Sequence, residues 1–188
     1  EAEEAVARAQ AGHVKVAALA REAGAAARRQ AQHAASQRGT RDIAFAEFAV
    51  AYMTTSLEPD ELLAGVTLPL PDRRHGYAFV EFARRHGDFA IVACSALLSL
   101  DCNGDIKEAA LALSGLGHAP VRPVAIERAL VGQKPAGAAF KAAAAEAAKL
   151  DATADAYVTA VYRRHLARVL IFRALEQAAR RAAEQASG

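Results

Sequence analysis

The sequence predicts an α+β fold: a small antiparallel sheet of about three strands packed with C-terminal helices, preceded by an alanine-rich helical N-terminal segment. Three observations carry this expectation. Both ends of the 188-residue chain are rich in alanine, the strongest helix former. The middle turns to β-branched, aromatic and turn residues, which suit a pleated surface. Within it, the apolar run Ile91 to Leu100 leads into Asp101-Cys102-Asn103-Gly104-Asp105, and Ile106 to Leu113 returns as a partner strand. Asn-Gly supplies the two positive-φ positions of a tight hairpin turn.

Taken in order, residues 1–38 are alanine with Arg, Gln and Glu, interrupted by Gly12 and Gly24. Their main large apolar side chains are Val6, Val14, Val16 and Leu19. That composition predicts helices with no wide apolar stripe, loosely held or docked through small residues. Glu61 to Pro69 reads as an extended segment stopped by its proline. Tyr77-Ala78-Phe79-Val80-Glu81-Phe82 reads as a strand with aromatics on both faces. Pro120 and Pro123 flank the entry to a short helix that Val131-Gly132 ends. A second helix is expected from Ala138 to Leu150, and Asp151 through Asp155 offers capping residues at the break that follows. A long helix is expected from about Ala156 to Gln185. Its apolar face is assigned to Val158, Val161, Tyr162, Leu166, Val169, Leu170 and Phe172, with Arg163, Arg164, Arg168, Arg173, Arg180 and Arg181 on the remainder.

Composition narrows the function classes. With 23 Lys and Arg against 21 Asp and Glu, the formal charge is +2. Such a balance gives no reason to expect nucleic acid as a partner. No stretch reaches the roughly 18 apolar residues of a membrane span. The start Glu1-Ala2-Glu3-Glu4 lacks the basic and apolar regions of a signal peptide. The two cysteines, Cys94 and Cys102, fit neither a metal knuckle nor a disulfide framework, and a reducing, cytoplasmic setting is expected. The six histidines show no metal-ligand spacing, and there is no nucleophile elbow, so no catalytic or metal residues are assigned. Gly115-Leu116-Gly117 lacks the third glycine of a dinucleotide loop and reads as a strand-to-helix turn. The segment Arg84-Arg85-His86-Gly87-Asp88 lies between two expected strands. Its clustered charge suits either a solvated loop or a site that holds an anion or a partner's carboxylate.

Three stretches, in order, resemble one family: Gly39 to Leu63, containing Tyr52-Met53-Thr54-Thr55-Ser56-Leu57-Glu58-Pro59; Tyr77 to Val92, containing Arg84-Arg85-His86-Gly87-Asp88-Phe89-Ala90; and Tyr162 to Leu170. Together they resemble the FAD-binding medium subunit of the molybdenum hydroxylases, the aerobic carbon monoxide dehydrogenase and xanthine dehydrogenase family, in its C-terminal part. The likeness runs from about Arg38 to Ala183. It implies an end of the FAD-binding domain and a connection over 39–75, and a flavoprotein C-terminal α+β domain over 76–188. It also implies partner subunits: a large one with the molybdenum cofactor and a small one with 2Fe-2S clusters. Their electrons would pass through FAD to an acceptor.

The resemblance nominates four cofactor-binding positions. Leu63 falls where xanthine dehydrogenases have a leucine touching FAD. Phe89 falls where carbon monoxide dehydrogenases place a tyrosine beside the flavin ring; it can stack but has no hydroxyl. Glu81, with Val80, occupies the stretch where relatives often carry a lysine. Asp88 matches an acidic position and is expected to shape the loop. Residues 1–38 do not resemble the family, and the two upstream glycine-rich segments that wrap the FAD pyrophosphate in relatives are not found. A fragment with a foreign start, or a divergent chain without the nucleotide pocket, would each give this pattern. The expectation is weak or absent FAD binding by this chain alone, and no activity alone. The alternative reading is a non-catalytic assembly domain that has lost FAD binding.

Overall fold

A computed structural model describes residues 31–51, 53–68, 74–85 and 87–186. The expectation for residues 1–30 lies outside them. The chain divides into two compact units, Glu1–Leu70 and Pro71–Gly188, and the whole is α+β.

In the first unit the chain runs through strands β1 (Ala31–Ser36) and β2 (Gly39–Ala44), the single helical turn α1 (Phe45–Phe48), the short strands β3 (Ala49–Ala51) and β4 (Thr54–Thr55), and strand β5 (Leu62–Thr67). The main sheet is antiparallel in the order β2-β1-β5. Residues 31–38 are therefore a strand and turn, not the helix expected of them. Their burial alternates with period two at Gln32 and Ala34, which suits a strand. Alanine's helix propensity is a weak prior that cross-strand partners override here. The His33 ring lies 2.7 Å from an oxygen of Asp42, its direct partner on β2, and 2.6 Å from the Thr67 hydroxyl on β5. A bidentate pair also ties the unit: Arg41 donates from Nε and Nη2 to the two oxygens of Glu61, at 2.7 and 2.8 Å.

In the second unit, strands β6 (His75–Phe82), β7 (Val92–Leu100) and β8 (Ile106–Ser114) form an antiparallel sheet in the order β6-β7-β8. The β7–β8 hairpin forms where expected, with one change. Of its turn residues only Gly104 has positive φ, at 77°. Gly104 N–H donates to the Asp101 carbonyl, and Asp101 N–H to the Asp105 carbonyl. The turn is thus longer than a two-residue loop, and the Asp101 carboxylate holds it by accepting from the N–H groups of Asn103 and Asp105 at 2.8 and 2.9 Å.

Helices α2 (Val124–Leu130) and α3 (Gly137–Ala145) follow, α3 tightening into a 3-10 turn over Glu146–Lys149, and helix α4 runs through Ala160–Ala186. The start of α4 is four residues later than expected, because Asp155 and Thr159 hold the preceding chain out of the helix. The Asp155 carboxylate accepts from the N–H of Tyr157 and of Val158, and the Thr159 hydroxyl from the N–H of Tyr162. The buried face of α4 is also different. Leu166 and Leu170 are buried as expected, but Val161 and Tyr162 are exposed. The core instead takes Ile171, Leu175 and a run of alanines: Ala167, Ala174, Ala178, Ala179 and Ala182. Those alanines let α4 lie close on β6. A Cβ built on Gly76 would fall 1.9 Å from the Ala178 carbonyl oxygen and 2.4 Å from the Ala182 nitrogen. The other side of the core is the inner face of the sheet, chiefly Leu98, Leu111 and Leu113, closed by Ile126, Leu130 and Phe140. Each buried Leu or Ile there stabilises the fold by roughly 1.5–3 kcal/mol relative to an exposed one.

Candidate functional site

The strand pleat decides which groups β6 offers to solvent. Gly76 and Ala78 are buried against the helix side, so Tyr77, Phe79 and Glu81 face outward. Tyr77 and Phe79 are 57% and 62% exposed, a large apolar area for an outer sheet face. As an edge strand β6 also has free backbone groups, and Arg181 covers one by donating to the Tyr77 carbonyl at 2.6 Å, its guanidinium 5.1 Å from the Tyr77 ring centroid.

Beyond Phe82 the chain leaves the sheet and returns at Val92, forming the loop that contains Arg84, Arg85, Asp88 and Phe89. Ile91 N–H donates to the Phe82 carbonyl at 2.8 Å and closes the base. Nearer the tip, Asp88 N–H donates to the Arg85 carbonyl at 3.2 Å, with Gly87 at φ 90°. Phe89 projects from this turn with 92% of its surface exposed. Two contacts fix the loop to α4 and the chain ahead of it: the Arg84 guanidinium lies 4.6 Å from the centroid of the Tyr157 ring, and Arg163 in α4 reaches the Ile91 carbonyl at 2.7 Å.

The four nominated positions are thus distributed. Glu81 lies on the outer face of β6, and Asp88 and Phe89 lie in the loop of the same unit. Leu63 lies on β5 of the first unit, exposed and paired with Ala34. None of the four lines the open groove of about 650 Å³ between α3 and α4, whose walls include Phe140, Arg173, Glu176 and Arg180. Cys94 is fully buried, and burial pushes its thiol up to about 12. No group of His, Cys, Asp and Glu among the described residues has the arrangement of a metal site. Arg163 was assigned to the solvated side of α4 on periodicity; its side chain is 12% exposed and holds the base of the loop.

Chemically, an exposed aromatic side chain on a loop that also carries Arg84, Arg85 and Asp88 can stack on a flat aromatic ligand. Phe89, Phe79 and Tyr77 are all exposed aromatics of this unit.

The sheet, the helix laid on it and the loop at the end of β6 together define an α+β domain. Residues 77–178 match the family described as the CO dehydrogenase flavoprotein C-terminal domain. Among relatives, the caffeine dehydrogenase subunit beta of a Pseudomonas species is 35% identical over 147 residues, covering 77% of this chain and 49% of the relative. The carbon monoxide dehydrogenase medium chain of Afipia carboxidovorans is 32% identical over 145 residues, covering 77% of this chain and 50% of the relative. The reconstituted CO dehydrogenase of Oligotropha carboxidovorans contains a chain that superposes with a TM-score of 0.74 at 29% identity, covering 82% of this chain and 54% of that one. The chain belongs to the CO dehydrogenase flavoprotein family, as the C-terminal part of its FAD-binding medium subunit. It spans about half the length of the curated relatives it matches.

Proposed function

We propose that the chain forms the ring-facing part of a flavin site in a molybdenum hydroxylase, working with a large molybdenum-cofactor subunit and a small 2Fe-2S subunit in the cytoplasm. Bound FAD would take electrons from the 2Fe-2S clusters and pass them to an acceptor. The observation that carries the reading is Phe89: an aromatic 92% exposed on a loop whose base is hydrogen-bonded, within the segment that matches the family. Leaving such a ring in water is unfavourable, and a flat partner relieves it.

Phe89 stacks on the flavin and keeps water from one face. Asp88 holds the turn that aims Phe89. Glu81 lies on the adjoining strand and accepts a hydrogen bond from the cofactor's polar rim. Leu63 contributes an apolar contact, on resemblance alone. Because the pyrophosphate needs an amide cradle and the family's glycine-rich segments are not found in this sequence, the chain alone binds FAD weakly.

The test is a titration with FAD, for the chain alone and for the chain co-expressed with molybdenum and 2Fe-2S subunits. Weak binding alone, flavin reduction in the complex, and a roughly three- to tenfold loss of affinity in Phe89→Ala, as expected for one aromatic stack, support the reading. Stoichiometric yellow flavin in the purified chain removes the weak-binding part. A complex that assembles without flavin favours the second reading, an assembly domain, to which the exposed face of Tyr77 and Phe79 lends support.

A further inference from the structure

We propose that Arg163 is the positioning residue of the loop that carries Phe89. The proposal rests on the flavin reading for its consequence but on separate observations for its substance. Arg163 sits in the first turn of α4, distant in sequence from everything it binds apart from Asp155. Its Nη1 donates to the Ile91 carbonyl at 2.7 Å and to the Gly115 carbonyl at 2.5 Å, and its Nη2 donates to the Asp155 carboxylate at 2.5 Å. Ile91 is the residue whose own N–H closes the loop on Phe82. One guanidinium therefore joins the returning end of the loop, the exit of β8 and the chain ahead of α4.

Gly115 shows how close that junction is. It has φ of 85°, and a Cβ there would meet the Ile91 carbonyl oxygen at 2.2 Å. The two carbonyls that Arg163 binds belong to backbone segments in direct contact, and without a shared donor their oxygens would be left together and unpaired. The planar fork of arginine reaches both oxygens and the carboxylate at once; a lysine ammonium is a single point charge that cannot span them. The Nε of Arg163 is buried and donates to no protein atom among the described residues. Its geometry is explained by what it aligns. The adjoining contact of Arg84 on Tyr157 draws the outgoing arm of the loop to the same segment that Asp155 anchors.

The experiment uses the absence of tryptophan from the sequence. Phe89→Trp places a lone indole at the loop tip of the full chain, and its anisotropy and iodide quenching report how the loop is held. They are compared in the parent, R163K and R163M backgrounds, and in G76A, which disturbs the helix–sheet contact at the opposite end of β6 and serves as a destabilised control. The expected result is a loss of anisotropy and a rise in quenching in R163M, a partial return in R163K, and parent-like values in folded G76A. Indole behaviour unchanged in R163M, or changed equally in G76A, overturns the proposal. Should R163M not fold, R163K and D155N carry the comparison on the same terms, with unchanged indole in both as the overturning result. In the reconstituted complex, flavin quenching of the indole tests the other reading. Normal loop order with no flavin quenching removes the flavin role and leaves the positioning role standing.

Discussion

Cys94 and Cys102 are near neighbours in sequence but differ in environment, Cys94 in the core of β7 and Cys102 exposed in the β7–β8 turn. Burial raises the Cys94 thiol to about 12, so almost none is thiolate at neutral pH. Cys102 is expected to be alkylated in the folded chain and Cys94 only in denaturant, which mass spectrometry of labelled peptides checks. Glu127 is a second buried group with a defined task. Its carboxylate accepts from the Leu111 N–H at 2.8 Å and from Arg122 Nε at 2.9 Å, tying α2 to β8. Glu127→Ala leaves that buried N–H unpaired and is expected to cost about 1–3 kcal/mol in chemical denaturation; Glu127→Gln keeps an acceptor and costs less. At this scale the loop was legible in part. Its place between two strands follows from the contiguous motif Arg84 to Ala90. The hold of Arg163 on it does not, because helical periodicity assigns a residue to a face of its own helix and is blind to carbonyls brought in from beside β7 and β8.

Among the elements, the β7–β8 hairpin was the most legible, since a continuous apolar run and Asn-Gly are both local signals. Helix α2 was bracketed by Pro120, Pro123 and Gly132 for the same reason. Strand β1 was hidden: Ala31–Ser36 has helix-forming composition, and its strand character comes from partners on β2 and β5 that no local window contains. The face of α4 was assigned in part: Leu166 and Leu170 are buried and Phe172 packs on the core, but Val161 and Tyr162 are exposed and much of the contact surface is alanine. Gly76 tests that contact. Adding a methyl group places it within 1.9 Å of the Ala178 oxygen, and backbone rather than a flexible side chain stands in the way. Gly76→Ala is expected to cost about 1–3 kcal/mol or more by forcing β6 and α4 apart, visible as a lowered midpoint in thermal or denaturant unfolding.

For the whole molecule, the two units differ in what holds them. The second has a continuous apolar core. Among the described residues of the first, the bidentate pair of Arg41 and Glu61 is a prominent polar tie. The hydrogen bond from Arg41, reinforced by one from the Glu58 N–H, holds the Glu61 carboxyl at about 2 against its usual 4.5. A depressed carboxyl contributes stability that is complete above its unfolded value and is lost as pH falls through its folded value. Amide protection in β1, β2 and β5 is therefore expected to decline between about pH 4.5 and pH 2, and Glu61→Gln should weaken protection at neutral pH while flattening that decline. Hydrogen exchange followed by mass spectrometry resolves both effects. Across the described residues no helix is long and apolar enough to cross a membrane.

The close seating of α4 on β6 has an evolutionary corollary. Where a helix meets a sheet through methyl groups and a bare Cα, drift meets a hard limit: the alanine positions reject any larger side chain, and the bare Cα of Gly76 rejects even a methyl group. Homologous chains should accordingly vary freely around this seam and hardly at all along it. The separation between helix and strand is then a quantity their descent preserves even where the residues themselves are common ones.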